Sequence, residues 1–352
     1  MNIFILNDTR TDRHHGCEIV MRNLIRGLTE RGGKIVGTLG WNCTLEKNRK
    51  LAKAAQSADT IIINGEGTIH HDQPYARYLL KTGNELARQG KAVYLINSTW
   101  QENSAELVDL ARPFKGIWVR DRASAYELAE QGITANIAPD LTFLSSYALN
   151  DQARLGVIVS DSIFSELSKK LATLAEKKEW RYIPIIRKPN PRETRKQRER
   201  WIKSYIYSLL EKITLNIFKP RQYYFDIKHC INNTELYLQE FRHCEALVSA
   251  RYHACCLAIQ NRAPFIALSS NTRKIENLLS DIGIQSQKRF FSLKQLVEQA
   301  PEEIIKNSSF STHETEIIEN FLIQARIKIN SMLDLISGST KNNNYLPSKT
   351  HA

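Results

Sequence analysis

Four short segments of this chain carry the residue types that group transfer needs. In Asn64-Gly65-Glu66-Gly67-Thr68-Ile69-His70-His71, two glycines flank a lone carboxylate after an apolar run. Glycine permits a tight turn that presents Glu66 together with backbone amides. Glu66 is therefore a candidate general base, His70 and His71 are candidate proton carriers, and Asn64, Gly65 and Gly67 are candidate contacts to an acceptor. The plainer alternative is a turn in which Glu66 caps the next helix, although two imidazoles are unusual in a mere connection. Ala246-Leu247-Val248-Ser249-Ala250-Arg251-Tyr252-His253-Ala254 delivers a cation and a proton-transfer group to the mouth of a helix, where free amides favour phosphate. An arginine and a histidine satisfied at a domain interface would give the same pattern.

Arg10-Thr11-Asp12-Arg13-His14-His15-Gly16-Cys17 ends where a helix begins, which makes Arg10, His14 and His15 candidate anion ligands. Equally, Asp12 could cap that helix with the basic residues in solvent. The four histidines His14, His15, His70 and His71 raise the question of a metal, but no carboxylate accompanies them at a supporting spacing, and no metal is expected. Trp118-Val119-Arg120-Asp121-Arg122-Ala123-Ser124 places Arg120 at a strand end, where its fork could take a carboxylate or phosphate. An ion pair of Asp121 with Arg120 or Arg122 beside a capped helix is the competing account. Asp140, after Pro139, reads as structural.

Groups of this kind gather at the carboxyl ends of parallel strands. The chain supplies such strands at Asn2 to Leu6, Thr60 to Ile63, Ala92 to Ile96, Gly116 to Val119 and Ala135 to Ile137. Helical periodicity lies between them, with Gly90 and Gly132 closing two of the helices. A second series runs through Leu155 to Val159, Arg181 to Ile186, Ala246 to Ser249 and Pro264 to Leu268, with helices from Ala254 and Lys274. Alternating strands and helices predict α/β architecture with parallel sheets in two Rossmann-like lobes and a cleft between them. The expected boundaries are 1–148 for the first lobe, 149–305 for the second, 306–336 for a C-terminal helix and 337–352 for a flexible tail.

At 352 residues, 42% hydrophobic and 24% charged, the composition excludes disorder, collagen-like repeats and a disulfide scaffold. Six cysteines without paired spacing read as thiols of a reducing compartment. No leader-like segment and no apolar run of about 18 residues is apparent, so a cytoplasmic location is expected. The net charge is +12, and eleven basic against three acidic residues between Arg187 and Arg221 supply a surplus of eight. Behind those charges Trp201, Tyr205, Leu209, Ile213 and Ile217 recur at helical spacing, so 187–222 reads as a basic amphipathic helical insertion. It would dock on an anionic membrane surface or pack on its own lobe or a second subunit. It lacks a nucleic-acid reading module, and no nucleic acid partner is expected.

Arg251-x-His253, the helix through Ala258 and Ile259, Pro264, Ser269-Ser270 and Lys274-Ile275 together resemble the C-terminal lobe of the polysaccharide pyruvyl transferase family. Arg120-Asp121-x-x-Ser124 and the turn at Gly65 to Gly67 match that family's first lobe in the same order. One departure stands out: His14-His15-Gly16-Cys17 occupies a loop where the family usually carries an Asn-x-Gly-Asp type sequence.

The resemblance implies a fold similar to GT-B glycosyltransferases and a reaction that joins two sugar hydroxyls to the enol carbon of phosphoenolpyruvate, releasing phosphate. It implies no cofactor. Arg251 and Arg120 would hold the donor, assisted by Tyr252, Ser269, Ser270 and Lys274; Glu66 would be the base; His253, then His70 or His71, would be the acid. Replacing Arg251 with Ala should then abolish turnover with little effect on folding. The acceptor would be a sugar or lipid-linked oligosaccharide of capsule, exopolysaccharide or lipopolysaccharide synthesis, the protein then working as a peripheral membrane enzyme. The alternative is a GT-B glycosyltransferase using a nucleotide-activated sugar, including a CMP-linked keto-acid sugar, whose carboxylate would use the same arginines.

Overall fold

The computed structural model describes residues 1–147, 153–187 and 229–338. The chain divides into two compact units. The first holds Met1–Thr11, Ile19–Ser145 and the chain from Glu319; the second holds Asp12–Glu18 and Ser146–Ile318. The division is thus not a single cut, because the short segment Asp12–Glu18 groups with the second unit.

In the first unit six strands form one all-parallel sheet. They are β1 (Asn2–Asp8), β2 (Lys34–Gly40), β3 (Thr60–Glu66), β4 (Ala92–Ser98), β5 (Gly116–Val119) and β6 (Asn136–Ile137), in the order β2-β1-β3-β4-β5-β6. A parallel sheet covered on both faces needs strands that are apolar throughout, and the centres of β1, β3 and β4 supply them: Ile3 to Leu6, Ile61 to Ile63 and Leu95 to Ile96 are fully buried. The crossovers are α1 (His15–Thr29), α2 (Arg49–Ser57), α3 (Pro74–Arg88), α4 (Ala105–Ala111) and α5 (Arg122–Glu130). Gly90 and Gly132, at φ +84° and +75°, end α3 and α5 in the left-handed conformation that glycine adopts most readily.

β2 and α2 form where the apolar pattern of the sequence predicts no element. β2 is an edge strand, mostly half-buried, and Gly37 and Gly40 break its apolar run. Gly37 is needed there, since a Cβ would come within 2.7 Å of the Phe4 ring.

In the second unit β7 (Val157–Val159), β8 (Arg181–Tyr182), β9 (Ala246–Ser249) and β10 (Phe265–Ala267) form a four-stranded parallel sheet, ordered β10-β9-β7-β8. Its helices are α6 (Ser165–Lys177), α7 (Thr234–His243), α8 (Tyr252–Gln260), α9 (Lys274–Ile282), α10 (Leu293–Glu298) and α11 (Pro301–Ser308). Every residue of α8 is buried, so this helix is set into its unit rather than laid upon it. The segment Asp12–Glu18 is stitched here by backbone bonds from His15 N to Ile185 O at 3.1 Å and from Arg187 N to Arg13 O at 2.7 Å.

The C-terminal helix α12 (Thr312–Ser337) joins the first unit from Glu319 onward. There Leu322, Ile329, Leu333 and Ile336 are buried, and Arg31 donates to Asp334 (2.6 Å) and Asn330 (2.8 Å). The insertion expected at 187–222 lies, beyond Arg187, outside the described residues, as does the tail from residue 339. Among the described residues no helix is long and apolar enough to cross a membrane, and none of the six cysteines is bridged.

Candidate active site

In the first unit the carboxyl ends of β1, β3 and β4 carry three non-glycine residues in left-handed backbone: Asn7 (φ 68°), Glu66 (φ 41°) and Asn97 (φ 53°). Asparagine tolerates that region; a glutamate there stores about 1–3 kcal/mol of strain and must be held by its surroundings. The glycines were expected to supply this turn, and that is corrected: neither Gly65 nor Gly67 has positive φ. Gly65 serves through its missing side chain, since a Cβ would lie 2.4 Å from Cβ of Ser98. Nor does Glu66 cap a helix, for α3 begins eight residues later, after Gln73.

Hydrogen bonds converge on the Glu66 carboxylate. Its Oε1 accepts from Thr9 Oγ1 at 2.5 Å and from Asn64 Nδ2 at 3.0 Å. The amides are oriented by a chain that starts at the backbone. Leu141 N donates to Asn97 Oδ1 (3.1 Å), Asn97 Nδ2 donates to Asn64 Oδ1 (3.2 Å), and Asn64 Nδ2 is thereby turned toward Glu66. Asn7 Nδ2 donates to the carbonyl of Asn64 at 2.6 Å and steadies the same turn. All four side chains are nearly inaccessible to solvent.

Arg120 lies beneath this turn. Its Nη1 meets Asp140 Oδ2 at 2.9 Å, and its Nη2 donates to the carbonyl of Glu66 (3.1 Å) and to Thr99 Oγ1 (2.5 Å). The Arg120 and Asp140 side chains are 1% and 0% exposed. A guanidinium so enclosed braces the Glu66 turn. Asp121 Oδ1 accepts from Ser124 N at 2.8 Å and caps α5. Asp140 is structural, as expected, and also accepts from Thr142 N.

His70 and His71 face one another, Nδ1 to Nδ1, at 2.8 Å, and His71 Nε2 reaches Glu102 at 3.2 Å. Arg10, half-exposed, grips Asp8 through Nε (2.9 Å) and Nη2 (2.5 Å). Burial pushes the Asp8 carboxyl up, but the bonds and charge of Arg10 and a bond from Thr38 outweigh it and hold it below its usual range.

In the second unit Arg251 occupies the N-cap position of α8 and donates through Nε (3.0 Å) and Nη2 (2.5 Å) to Asp161 Oδ2. Asp161 follows β7, and its other oxygen accepts from Ile185 N at 2.9 Å. The pair is 9% and 4% exposed. Removing Arg251 alone would strand a buried carboxylate, which corrects the expectation that Arg251→Ala would leave folding almost untouched.

His253 sits in the first turn of α8, with its ring 5.6 Å from Tyr252 and 5.1 Å, edge to face, from His14. Gly16 makes that approach feasible: a Cβ there would lie 2.3 Å from Cβ of His253. His14 Nδ1 accepts from Gly16 N (3.1 Å) and Cys17 N (3.4 Å), so His14 receives amides of the first turn of α1. His15 turns elsewhere, stacking on Tyr237 at 4.1 Å and bonding Thr234 and the carbonyl of Ile231. Lys274 opens α9, and its Nζ donates to Asn271 (3.0 Å), which also accepts from Ser270; Ser269 is exposed.

In the second unit His14 and His15 diverge, and in the first His70 pairs with His71. Among the described residues one other group offers ligand types, His14, Cys17 and His253, whose ligand atoms lie within 4.8 Å of one another. It does not suit a resident cation. His14 Nδ1 already accepts from two amides, and Arg251 and Lys274 bring positive charge to that ring.

Asp161, Asn7, Asn97 and Thr9 were not picked out from the sequence. Asp161 had a signal, a carboxylate directly after an apolar strand; the asparagines are told only by their backbone angles.

Two parallel α/β units with chemistry at their strand ends define a GT-B-like architecture, and known structures agree. UDP-N-acetylglucosamine 2-epimerase of Methanocaldococcus jannaschii, solved with UDP-N-acetylglucosamine and UDP, superposes with a TM-score of 0.50 at 14% identity, over 92% of this chain and 100% of that one. The calicheamicin glycosyltransferase does so with a TM-score of 0.50 at 10% identity, over 97% and 99%. At such identity they speak for fold alone. No curated protein sequence matches. The family profile of polysaccharide pyruvyl transferase matches residues 11–272, and the chain belongs to that family. It is a transferase.

Proposed function

We propose that this protein transfers the pyruvyl group of phosphoenolpyruvate to two hydroxyls of a sugar in a cell-surface polysaccharide or its lipid-linked precursor. The observation that carries this reading is Arg251 braced by Asp161 at the mouth of α8, with His253 in that helix's first turn, inside the span matched by the family. The helix amides and Arg251 bind the anionic donor, and Lys274, Tyr252, Ser269 and Ser270 complete the donor side. Glu66 takes the proton of the first hydroxyl as its oxygen bonds to the enol carbon. His253 supplies a proton to the methylene carbon, which becomes the methyl group. The second hydroxyl then bonds to the same carbon as the carbon–phosphate-oxygen bond breaks, its proton passing to the His253 ring left deprotonated by the first step, and phosphate departs with the bonding electrons, giving the cyclic ketal.

Asn64, Gly65 and Gly67 contact the acceptor in this reading, as do Arg10, His14 and His15 any anionic group on it. His15 is the weakest of these, its ring nitrogens being engaged by Thr234 and Ile231. His70 and His71 remain the second choice of acid. The basic surplus between 187 and 221 supports a lipid-linked acceptor at an anionic membrane. Vesicle co-sedimentation of the full chain should exceed that of a version lacking 190–220; equal binding would remove the membrane element.

The deciding experiment incubates the protein with labelled phosphoenolpyruvate and a panel of free and lipid-linked oligosaccharides, following phosphate release and the mass of a pyruvate ketal. Glu66→Gln, which keeps the shape and loses the base, should slow turnover by roughly 10²–10⁴-fold. Stabilisation against heat by a CMP-linked sugar but not by phosphoenolpyruvate would favour glycosyl transfer instead.

A further inference from the structure

We propose that His14 is a hydrogen-bond donor to the anionic donor substrate, its ring locked by the first turn of α1 in the tautomer that carries the proton on Nε2. The identity of the ligand, an enol phosphate bearing a carboxylate, rests on the pyruvyl-transfer reading; the tautomer does not. Two backbone amides, Gly16 N at 3.1 Å and Cys17 N at 3.4 Å, donate to Nδ1. A ring nitrogen that accepts hydrogen bonds carries no proton, so the neutral imidazole holds its proton at the far nitrogen. Among the described residues none accepts from His14 Nε2.

The surroundings keep this ring neutral. Burial, then the charges of His253, Arg251, His15 and Lys274, press its pKa well below the ordinary histidine value. The facing groups are thus cationic or imidazole, with Cys17 on its own helix and the Asp161 carboxylate spent on Arg251. An anion drawn by that positive surplus meets a fixed N–H that does not surrender its proton as charge develops on the substrate oxygen. The two adjacent rings therefore divide the work: His253 exchanges a proton, and His14 only donates a hydrogen bond.

This assignment explains why a glycine lies between the two rings, since any side chain at position 16 would displace His253 from His14. It also explains what a histidine does here that a short polar cap would not. Nδ1 performs the cap, and the ring extends a donor beyond it.

The two ends of the ring can be tested separately. His14→Asn retains an acceptor near Nδ1 and caps α1 but loses the far donor, whereas His14→Gln retains a donor near Nε2. With phosphoenolpyruvate and a competent acceptor, the Asn variant should keep the wild-type melting temperature yet turn over about 10²–10³-fold more slowly, and the Gln variant should recover part of the loss. The pH inflections of the Asn variant should not move. Nitrogen-15 spectra of the unliganded, histidine-labelled protein should show His14 neutral with Nε2–H between about pH 5 and 8. Titration with phosphoenolpyruvate or inorganic phosphate should shift that resonance. An Asn variant within about threefold of wild type would reduce His14 to a cap. A proton on Nδ1, a titration step, or a resonance indifferent to both anions would likewise overturn the proposal. Absence of any pyruvyl transfer by the wild type would defeat the reaction reading alone, with the spectra still deciding the tautomer and anion contact.

Discussion

If Arg120 braces the Glu66 turn instead of binding substrate, its removal should be felt first in stability. The Arg120→Met variant keeps most of the side-chain volume and removes the guanidinium. It strands the Asp140 carboxylate, itself 0% exposed, and releases the Glu66 carbonyl and Thr99 from their donor. Breaking a buried ion pair from one side destabilises by about 3–5 kcal/mol, a large part of the roughly 5–15 kcal/mol that holds a domain folded. For a unit of this size that lowers the melting midpoint by about 6–20 °C. Asp140→Asn added to Arg120→Met removes the stranded charge while keeping an oxygen for Thr142 N, and should recover at least about 2 kcal/mol. Guanidinium chloride unfolding followed through the buried Trp100 and Trp118 would measure both. The double variant should still be stabilised by phosphoenolpyruvate. A loss below about 1 kcal/mol for Arg120→Met, the figure of an exposed pair, would refute the enclosure. Donor binding lost with stability intact would return Arg120 to the substrate.

Gly16→Ala should both destabilise the second unit by about 1–3 kcal/mol and depress turnover, because the added methyl meets the His253 ring; unchanged activity with a wild-type melting curve would contradict the packing. Asn97→Leu, of similar volume, strands Asn64 Oδ1 and Leu141 N and should cost about 1–3 kcal/mol by denaturant unfolding. The His15 ring is pressed down to about 3 by burial and then by the charge of Arg187, against the opposing pull of the Ile231 carbonyl. Since the unfolded ring binds its proton near 6.5, this group's stability is complete above that pH and is lost as pH falls toward 3, by about 1.4 kcal/mol per unit. Between about pH 7 and 5 the wild type should therefore lose roughly 2 kcal/mol more than His15→Gln, and equal losses in the two proteins would discount the buried ring.

The central strands and the lobe type were legible because parallel strands buried on both faces announce themselves as unbroken apolar runs, as Ile61 to Ile63 do. The edge strand β2 was not, because its outer side needs no such run and its glycines answer to Phe4, a partner distant in sequence. Glu66, Arg251 and His253 could be singled out as candidates from residue type and place. What held them could not. Asp161 stands 90 residues from Arg251, and Asn97 reaches Glu66 only through Asn64. A guanidinium at a strand end, such as that of Arg120, looks the same in sequence whether it faces a ligand or a buried aspartate, and only exposure separates the two.

The left-handed residues at three neighbouring strand ends mark where selection for heat resistance would act on this molecule. Glu66→Gly would relax the strained backbone and remove the proposed base together, so variants that gain durability at this rim should lose speed. A library screened for survival alone would drift toward a sturdier and idler protein, and the rim would be the place to look for the trade.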